Sequence, residues 1–326
     1  MNDSKIISIK LLRAIAALAV CFVHIQMLGS FHVNFFIDNL INNGQQCVTI
    51  FFVISGFILP YSLYRKNYVL KNFFTFLLRR SIRIDPPYWG IIALSFITGV
   101  VPLSMLTFNS LLLHLFYLIP FVKGTGWFLS VFWTLSIEFQ FYLLLGAFFP
   151  FLMRTKTHIS ILILIGINIV CILSKITSRG IIIDHMSDFV IGFIAFMIYI
   201  KKISQTRGLL ILFALAVYIM ISVSIKSGTV PLLAALFILF YKSQREIQPF
   251  CFIGDISYSL YLIHLPVSFI LIDKFGSYIP NKLILFLGCL LLSILSAYIF
   301  YLLVEKYALK LSKVIKLSRQ SGLLFK

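Results

Sequence analysis

The sequence has few charged residues for its length. Only 12% of its 326 residues are Asp, Glu, Lys or Arg, whereas roughly a quarter of the residues are charged in an average soluble domain. Hydrophobic residues make up 60% of the chain, and the mean hydropathy is +1.02. A buried core alone does not explain this deficit of charge, so most of the chain is expected to face lipid or other membrane helices.

Acidic residues are especially scarce, and metal-ligand patterns are absent from the sequence. Ten acidic residues stand against 28 basic ones, for a formal net charge of +18. The basic residues separate apolar segments and form no basic-aromatic patch, so no nucleic-acid partner is expected. The five cysteines show neither CxxC nor His/Cys spacing, so neither a disulfide nor a metal site is predicted.

Sequence signals for other protein classes are missing as well. No small-residue cleavage site follows the first apolar segment, so we expect a retained span and not a removed signal peptide. The chain contains no GxSxG nucleophile elbow, no evident internal repeat, and no hydrophilic stretch long enough for a second domain. We therefore predict one membrane domain over residues 1–326, with a core of about 5–305 and a basic cytoplasmic tail at 306–326.

Apolar segments of bilayer-spanning length, about 20 residues, follow one another along the chain. They predict an all-α polytopic membrane protein with about ten transmembrane helices. An apolar piece at 110–121 is too short to span and is predicted to be an interfacial or re-entrant helix that contains His114. The predicted spans are 6–28, 47–64, 88–106, 128–152, 158–174, 181–200, 209–225, 229–241, 256–273 and 283–304.

Lysine and arginine in the loops predict the orientation of these spans. With a cytoplasmic N-terminus, 20 of the 28 basic residues fall on the inner side and 6 on the outer side, while Lys10 and Arg13 lie within the first span. Both termini are therefore predicted to be cytoplasmic.

The first span contains two ionisable residues. Arg13 and His24 share a helix face and are about 16 Å apart along the axis. A charge within the bilayer costs at least ~2.5 kcal/mol, so such residues usually face a polar interior. Two interpretations stay open: a functional pair, or side chains that extend to the two headgroup regions.

A cluster of arginines precedes the third predicted span on the cytoplasmic side. Arg79, Arg80 and Arg83 lie just before Pro86-Pro87, where a helix is expected to end or bend. Such clusters commonly act as positive-inside anchors, but guanidinium groups also suit the phosphates of a nucleotide-bearing donor. Asp85 is expected to neutralise part of the charge.

The fourth predicted span contains a carboxyl group. Glu138 is the only acidic residue deep within the first half of the chain, and Thr134 and Tyr142 share its helix face. A lone carboxyl at this position is expected to be protonated or paired. Arg13 and His24 are its predicted partners, and a purely structural ion pair is the alternative.

Two other spans carry polar residues. Ser257, Tyr261 and His264 form a stripe on one helix face, which is typical of a bundle interior, although Tyr261 equally suits ordinary helix packing. Ser55 and Gly56 lie in the middle of the second span, where close contact between helices is the usual explanation.

Five motifs occur in an order that resembles one protein family. Together they resemble the acyltransferase-3 family of bacterial inner-membrane acyltransferases, over about residues 5–305. In family members the last span often ends with Glu followed shortly by Pro. This chain has Glu305 without the proline, which leaves the shape of the last turn open. The motifs are Arg-x10-His (Arg13, His24), FFxxSGF (51–57), RRxxRIxPxYW (79–89), WxLxxExxFY (133–142) and SYSLYLxHxP (257–266).

The resemblance implies O-acylation, most often O-acetylation, of cell-surface glycans at the bacterial inner membrane. It implies acetyl-CoA as the cytoplasmic donor substrate, no permanently bound cofactor, and contact with membrane lipid. The expected acceptor is a surface polysaccharide, first of all lipopolysaccharide O-antigen. The chain is expected to be a stand-alone member, without the extracytoplasmic esterase-like domain of some relatives.

The resemblance leads to a hypothesis for the mechanism. Arg79, Arg80 and Arg83 would hold the phosphates of acyl-CoA. His24 would act as general base on a sugar hydroxyl. Glu138 would orient His24 or pair with Arg13, and Arg13 would stabilise negative charge on the thioester oxygen. Supporting roles are expected for Ser55, Trp133, Tyr142, Tyr261 and His264, and a covalent acyl-enzyme on Ser55 or His24 is an alternative.

Two other functional classes suit a polytopic chain with buried charge. A transporter or flippase predicts inverted repeats, and an acyl-group exporter predicts acyl-CoA binding without glycan transfer. The outer loop at 29–46 is neutral and rich in asparagine and aromatic residues, which suits either sugar binding or an ordinary connection.

Overall fold

The structure is a computed structural model that describes residues 3–31, 44–176, 178–243 and 245–315. Most of the loop predicted to suit sugar, residues 32–43, lies outside these described residues. The same holds for residues 316–326 of the predicted basic tail.

The described chain is mostly helical. Helix accounts for 81% of it, with no strand in the described ranges. A π-helical turn, Tyr301–Glu305, connects the last two helices. The helices are α1 Asp3–Gly29, α2 Val48–Arg65, α3 Phe73–Ile97, α4 Phe108–Leu115, α5 Trp133–Arg154, α6 Thr157–Leu173, α7 Met186–Tyr199, α8 Gln205–Ser222, α9 Ile225–Phe240, α10 Gln248–Asp255, α11 Ser257–Phe275, α12 Lys282–Phe300 and α13 Lys306–Val314.

The described residues contain seven helical segments that are long and apolar enough to cross a membrane. The shorter apolar helices α6 and α9, together with α3, occupy the other predicted spans. The prediction of an all-α, multi-pass membrane protein is confirmed, while the count of ten spans and the cytoplasmic termini stay predictions. The seven segments are Ser4–Gly29, Val48–Arg65, Trp133–Arg154, Ile182–Tyr199, Gln205–Ser222, Ser257–Phe275 and Lys282–Val314.

Helix α3 differs from the sequence-based expectation. We predicted a span at 88–106, but one helix runs from Phe73 to Ile97 with Pro86 and Pro87 inside it. Proline is tolerated inside membrane helices where neighbouring groups satisfy the freed backbone atoms. Pro86 and Pro87 leave the Ile82 and Arg83 carbonyls without an intrahelical donor, and next to them the Tyr258 hydroxyl of α11 donates to the Ile84 carbonyl at 2.8 Å. The arginine cluster therefore belongs to the helix itself and turns with it toward the bundle.

Helices α2 and α7 pack in close contact. A Cβ atom added at Gly56 would overlap the Phe189 carbonyl oxygen, and one added at Gly192 would overlap the Val53 carbonyl oxygen. The interpretation of Gly56 as a point of close helix contact is therefore confirmed. This contact holds the middle of α2, and with it Ser55, in a defined position.

The short apolar piece at 110–121 forms a helix, α4, followed by a single 3-10 turn at Ile119–Phe121. His114 in α4 is fully buried. Its Nδ1 donates to the Ser110 carbonyl at 2.8 Å, and its Nε2 accepts from the Phe128 N–H at 2.9 Å. Burial lowers the pKa of His114 to about 4, so this imidazole is neutral and serves a structural role.

Candidate active site

A cavity of about 130 Å³, lined by both charged and apolar side chains, lies among α1, α2, α3, α5 and α11. These helices come from distant parts of the chain, so their packing alone brings the motifs together. Of the eleven predicted site residues, seven line the cavity: Arg13, Ser55, Arg80, Arg83, Glu138, Tyr142 and Tyr261.

Glu138 is the one carboxylate among the lining residues of this cavity. It accepts a hydrogen bond from the Ser55 hydroxyl at 3.0 Å and another from Tyr142, one helical turn further along α5. Within the described ranges no residue forms an ion pair with it, so the structure lacks the expected pairing with Arg13 or His24. The packing of α2 against α5 places a serine hydroxyl where we had expected a cation.

Arg13 enters the cavity from α1. Its Nε donates to the Ser257 hydroxyl at 2.9 Å, which in turn donates to the Gly254 carbonyl at 2.8 Å. The acidic residues within electrostatic range are Glu305, Glu138 and Asp255. Arg13 is therefore tied to the N-terminal end of α11 by a hydrogen bond and lies in a field shared by several carboxylates.

Glu305 is a buried acidic residue that sequence reasoning did not place in the site. It is 2% exposed, and its carboxylate accepts hydrogen bonds from the Ser259 N–H at 3.1 Å and the Ser259 hydroxyl at 2.5 Å. The π-helical turn that ends at Glu305 turns this carboxylate into the bundle, and π-turns are frequent at functional sites. Because the usual proline is missing, the helix continues into α13. The retained glutamate of the family motif was the sequence signal that could have identified Glu305 as a site residue.

The arginine end of the cavity has more cations than acidic partners. The Arg80 guanidinium lies over the rings of Phe76 and Tyr142, at 5.6 and 5.8 Å. Its Nε is buried and has no hydrogen-bond partner among the residues described. Arg83 also lines the cavity, whereas Arg79 does not. This end is suited to an anion.

Two neighbours define the charge of this arginine end. Asp85 accepts from the Tyr117 hydroxyl at 2.7 Å and from Ser81, and within the described ranges it forms no ion pair with the arginines that it was expected to neutralise in part. Lys66 follows α2, and its pKa is lowered to about 8 by burial and then by the positive charges of Arg79 and Arg80. The electrostatic field at this end of the cavity is therefore positive.

His24 forms a pair with His264 beside the cavity. The His264 Nδ1 lies 3.0 Å from the Leu260 carbonyl oxygen, which can only accept, so this nitrogen donates. The Nε2 of a neutral His264 must then accept from the His24 Nδ1, 2.9 Å away. In this arrangement the His24 Nε2 keeps its lone pair. The pair therefore has the tautomer that a general base requires.

Tyr261 connects this histidine pair to the cavity. Its ring lines the cavity, and its centroid is 6.1 Å from that of His264. Its hydroxyl donates to the Val131 carbonyl at 3.0 Å and lies 2.8 Å from the Thr134 hydroxyl. These bonds attach α11 to α5 and hold the histidines next to the cavity wall.

Trp133, another predicted supporting residue, lies outside the cavity lining. Arg179 stacks over its ring at 5.6 Å, and the His185 ring centroid is 5.3 Å from its own. Arg179 is also within electrostatic range of His24. In the sequence Arg179 is one of the six basic residues of the predicted outer loops, and no motif singles out His185.

Comparisons with known proteins give one match. A family model described as an acyltransferase domain, Acyl_transf_3, matches residues 6–302. The matched range includes all eleven predicted site residues and ends just before Glu305. No curated protein and no solved structure matches the chain.

Proposed function

The chain belongs to the acyltransferase-3 family, and on this premise we propose that it is an acetyl-CoA-dependent O-acetyltransferase of the bacterial inner membrane. The proposed acceptor is a hydroxyl of a cell-surface glycan, first of all lipopolysaccharide O-antigen. The chain would act as one membrane domain. The observation that carries this proposal is the His24–His264 pair with its free nitrogen, beside a cavity whose other end is rich in arginine.

The arginine end supports donor binding. The buried Arg80 Nε without a partner represents a cost of about 1–3 kcal/mol that a bound phosphate oxygen would offset. Arg83 and Arg79 add positive charge, as does Lys66 while protonated. A coenzyme A donor carries several phosphates, which suits a cluster of guanidinium groups better than a single carboxylate does.

His24 is the proposed general base. Its Nε2 would take the proton of the acceptor hydroxyl while that oxygen bonds to the thioester carbonyl carbon. When the tetrahedral intermediate collapses, the C–S bond breaks, and the proton passes from His24 to the sulfur of coenzyme A. The hydrogen bond to His264 keeps the proton of the resting imidazole on Nδ1, so Nε2 is ready to accept.

The spacing along α1 changes the proposed roles of Arg13 and Glu138. Arg13 lies about 16 Å from His24 along the axis, and side chains on a helix lean toward its N-terminus, away from His24. We therefore assign Arg13 to donor binding and not to the reacting carbonyl. Glu138, hydrogen-bonded to Ser55, balances charge in the cavity, while His264 takes over the orientation of His24.

The test is mass spectrometry of surface polysaccharide from cells that express the wild type, His24→Ala or His158→Ala. His158 is an exposed histidine on α6 and serves as the matched control. We expect an acetyl increment with the wild type and with His158→Ala, and its loss with His24→Ala while acetyl-CoA binding persists. Normal transfer by His24→Ala would overturn the general-base role. A wild type that adds nothing to any glycan would favour an exporter or a transporter.

A further inference from the structure

An unpaired guanidinium, that of Arg179, lies within electrostatic range of His24. Arg179 is exposed, stacks over the Trp133 ring at 5.6 Å, and forms no ion pair with any residue in the described ranges. A guanidinium stacked on an aromatic face keeps its in-plane N–H donors free for a planar, two-oxygen acceptor. Trp133 thus holds a donor group whose acceptor is not part of the described chain.

A second polar group faces the same tryptophan. The His185 ring centroid lies 5.3 Å from that of Trp133, and the His185 Nδ1 donates to the Asp188 carboxylate at 3.0 Å. Asp188 is 4% exposed, so it holds this ring firmly. The His185 Nε2 has no hydrogen-bond partner among the residues that the structure describes, and 22% of the side chain is exposed. This nitrogen is free to accept from a hydroxyl.

These groups lie next to the proposed reaction centre. Arg179 is within electrostatic range of both His24 and Tyr261. The Phe52 ring lines the cavity and lies 4.8 Å from the His185 ring. A molecule bound by Arg179 and His185 would therefore lie against the cavity wall that Phe52 forms and within electrostatic range of His24.

We propose that Trp133, Arg179 and His185 form an acceptor subsite for a sugar that carries a carboxylate, such as a uronic acid. The inference rests on the proposed function and names the class of its acceptor. Arg179 binds the carboxylate through two parallel N–H donors, and the His185 Nε2 accepts from a ring hydroxyl. This places a further hydroxyl of the sugar toward His24.

The charges at this subsite favour a carboxylate over a phosphate. Arg179 is its one unpaired cation in the described part of the chain, whereas the phosphate-suited arginines cluster at the opposite end of the cavity. Asp184 lies close by and accepts from the Ser178 N–H at 3.2 Å. Its negative charge opposes a dianion more than a monoanion, so a singly charged carboxylate is the better match.

The experiment measures binding and not transfer, so it is independent of whether acetylation occurs. Methyl glucuronide and methyl glucoside differ only in the carboxylate and are titrated against the purified full-length protein in detergent by saturation-transfer NMR. We expect glucuronide to bind at least tenfold more tightly, which is the effect of a charged hydrogen bond. Equal binding, or no binding of glucuronide, overturns the subsite. Inorganic phosphate that displaces glucuronide at equal concentration overturns the choice of a carboxylate.

Three variants separate a role in recognition from a role in folding. Arg179→Gln is expected to remove the preference for glucuronide, and Arg179→Lys to restore only part of it because lysine lacks the planar fork. Lys274→Gln removes an exposed charge elsewhere and is expected to leave the preference unchanged. Full preference in a folded Arg179→Gln, or its loss in Lys274→Gln, contradicts the proposal. If glucuronide binds but no acetyl group is transferred, the subsite stands and the proposed function fails.

Discussion

Replacing His264 tests how the proposed base is prepared. His264 is fully buried and connects the Leu260 carbonyl to the His24 Nδ1 through hydrogen bonds of 3.0 and 2.9 Å. His264→Phe keeps an aromatic ring but removes both bonds. His24 then loses the acceptor that keeps its proton on Nδ1, and the free nitrogen is no longer assigned to Nε2.

The expected loss of activity in His264→Phe follows from the two hydrogen bonds that are removed. A net hydrogen bond contributes about 0.5–1.5 kcal/mol, and the freed imidazole also loses its fixed orientation. If the activation free energy of acetyl transfer rises by about 1–2 kcal/mol, kcat falls roughly five- to thirtyfold. The KM for the donor is expected to stay near the wild-type value because the proposed donor site is the arginine end. The buried Leu260 carbonyl loses its partner, so stability is expected to fall by about 1–3 kcal/mol.

The assay is acetyl transfer by purified protein in membranes, with thermal unfolding measured on the same samples. His264→Gln is the matched variant, since its side-chain oxygen can accept from His24 while its amide donates to Leu260. We expect the glutamine variant to recover most of kcat. Wild-type kcat in His264→Phe would refute the reasoning. An equal loss in the two variants would show that ring packing matters and the tautomer does not.

Two further predictions concern the donor end and the helix packing. Because burial and the neighbouring guanidinium groups lower the pKa of Lys66 to about 8, its ammonium loses its proton as the pH rises through that value. Affinity for acetyl-CoA is therefore expected to weaken across this pH, while Lys66→Arg should retain it; a flat wild-type titration would contradict this. Gly192→Ala places a Cβ against the Val53 carbonyl oxygen and should destabilise the protein by about 1–3 kcal/mol in thermal unfolding. Gly288→Ala, whose Cβ would meet no atom within 4 Å, should be neutral or stabilising, and an equal loss of stability in both variants would exclude close helix contact as the cause.

Much of the architecture could be predicted because it depends on local properties of the chain. In a bilayer the backbone must form its hydrogen bonds within each spanning segment, so length and hydropathy are sufficient to predict helices. The boundaries of α2 and α5 fall within a few residues of the predicted spans. Helix α3 is the exception: it continues through Pro86 and Pro87, and it is bonded there to Tyr258 of α11, a contact that the local sequence does not show.

Most residues of the site could be predicted from the sequence, but their hydrogen-bond partners could not. Motif order identified the family and named residues that line one cavity. Glu138 accepts hydrogen bonds from Tyr142 on its own helix and from Ser55, and the bond from Ser55 was not expected. Glu305 was noted only as the residue that ends the last span, and Arg179 was not singled out, because neither one's local sequence shows that it approaches a functional residue.

The sequence by itself determined that this is a helical membrane protein of the acyltransferase-3 family, because composition, helical period and motif order are properties of single segments. Only the tertiary structure decided which of those segments touch. His24 and His264 are 240 residues apart in the chain, and no periodicity reports a contact across that distance. The packing of α1 against α11 determines which nitrogen of His24 is free, because it brings His264 within hydrogen-bond distance of the other nitrogen. Such a bond depends on the relative positions of two side chains, which the sequence alone does not give.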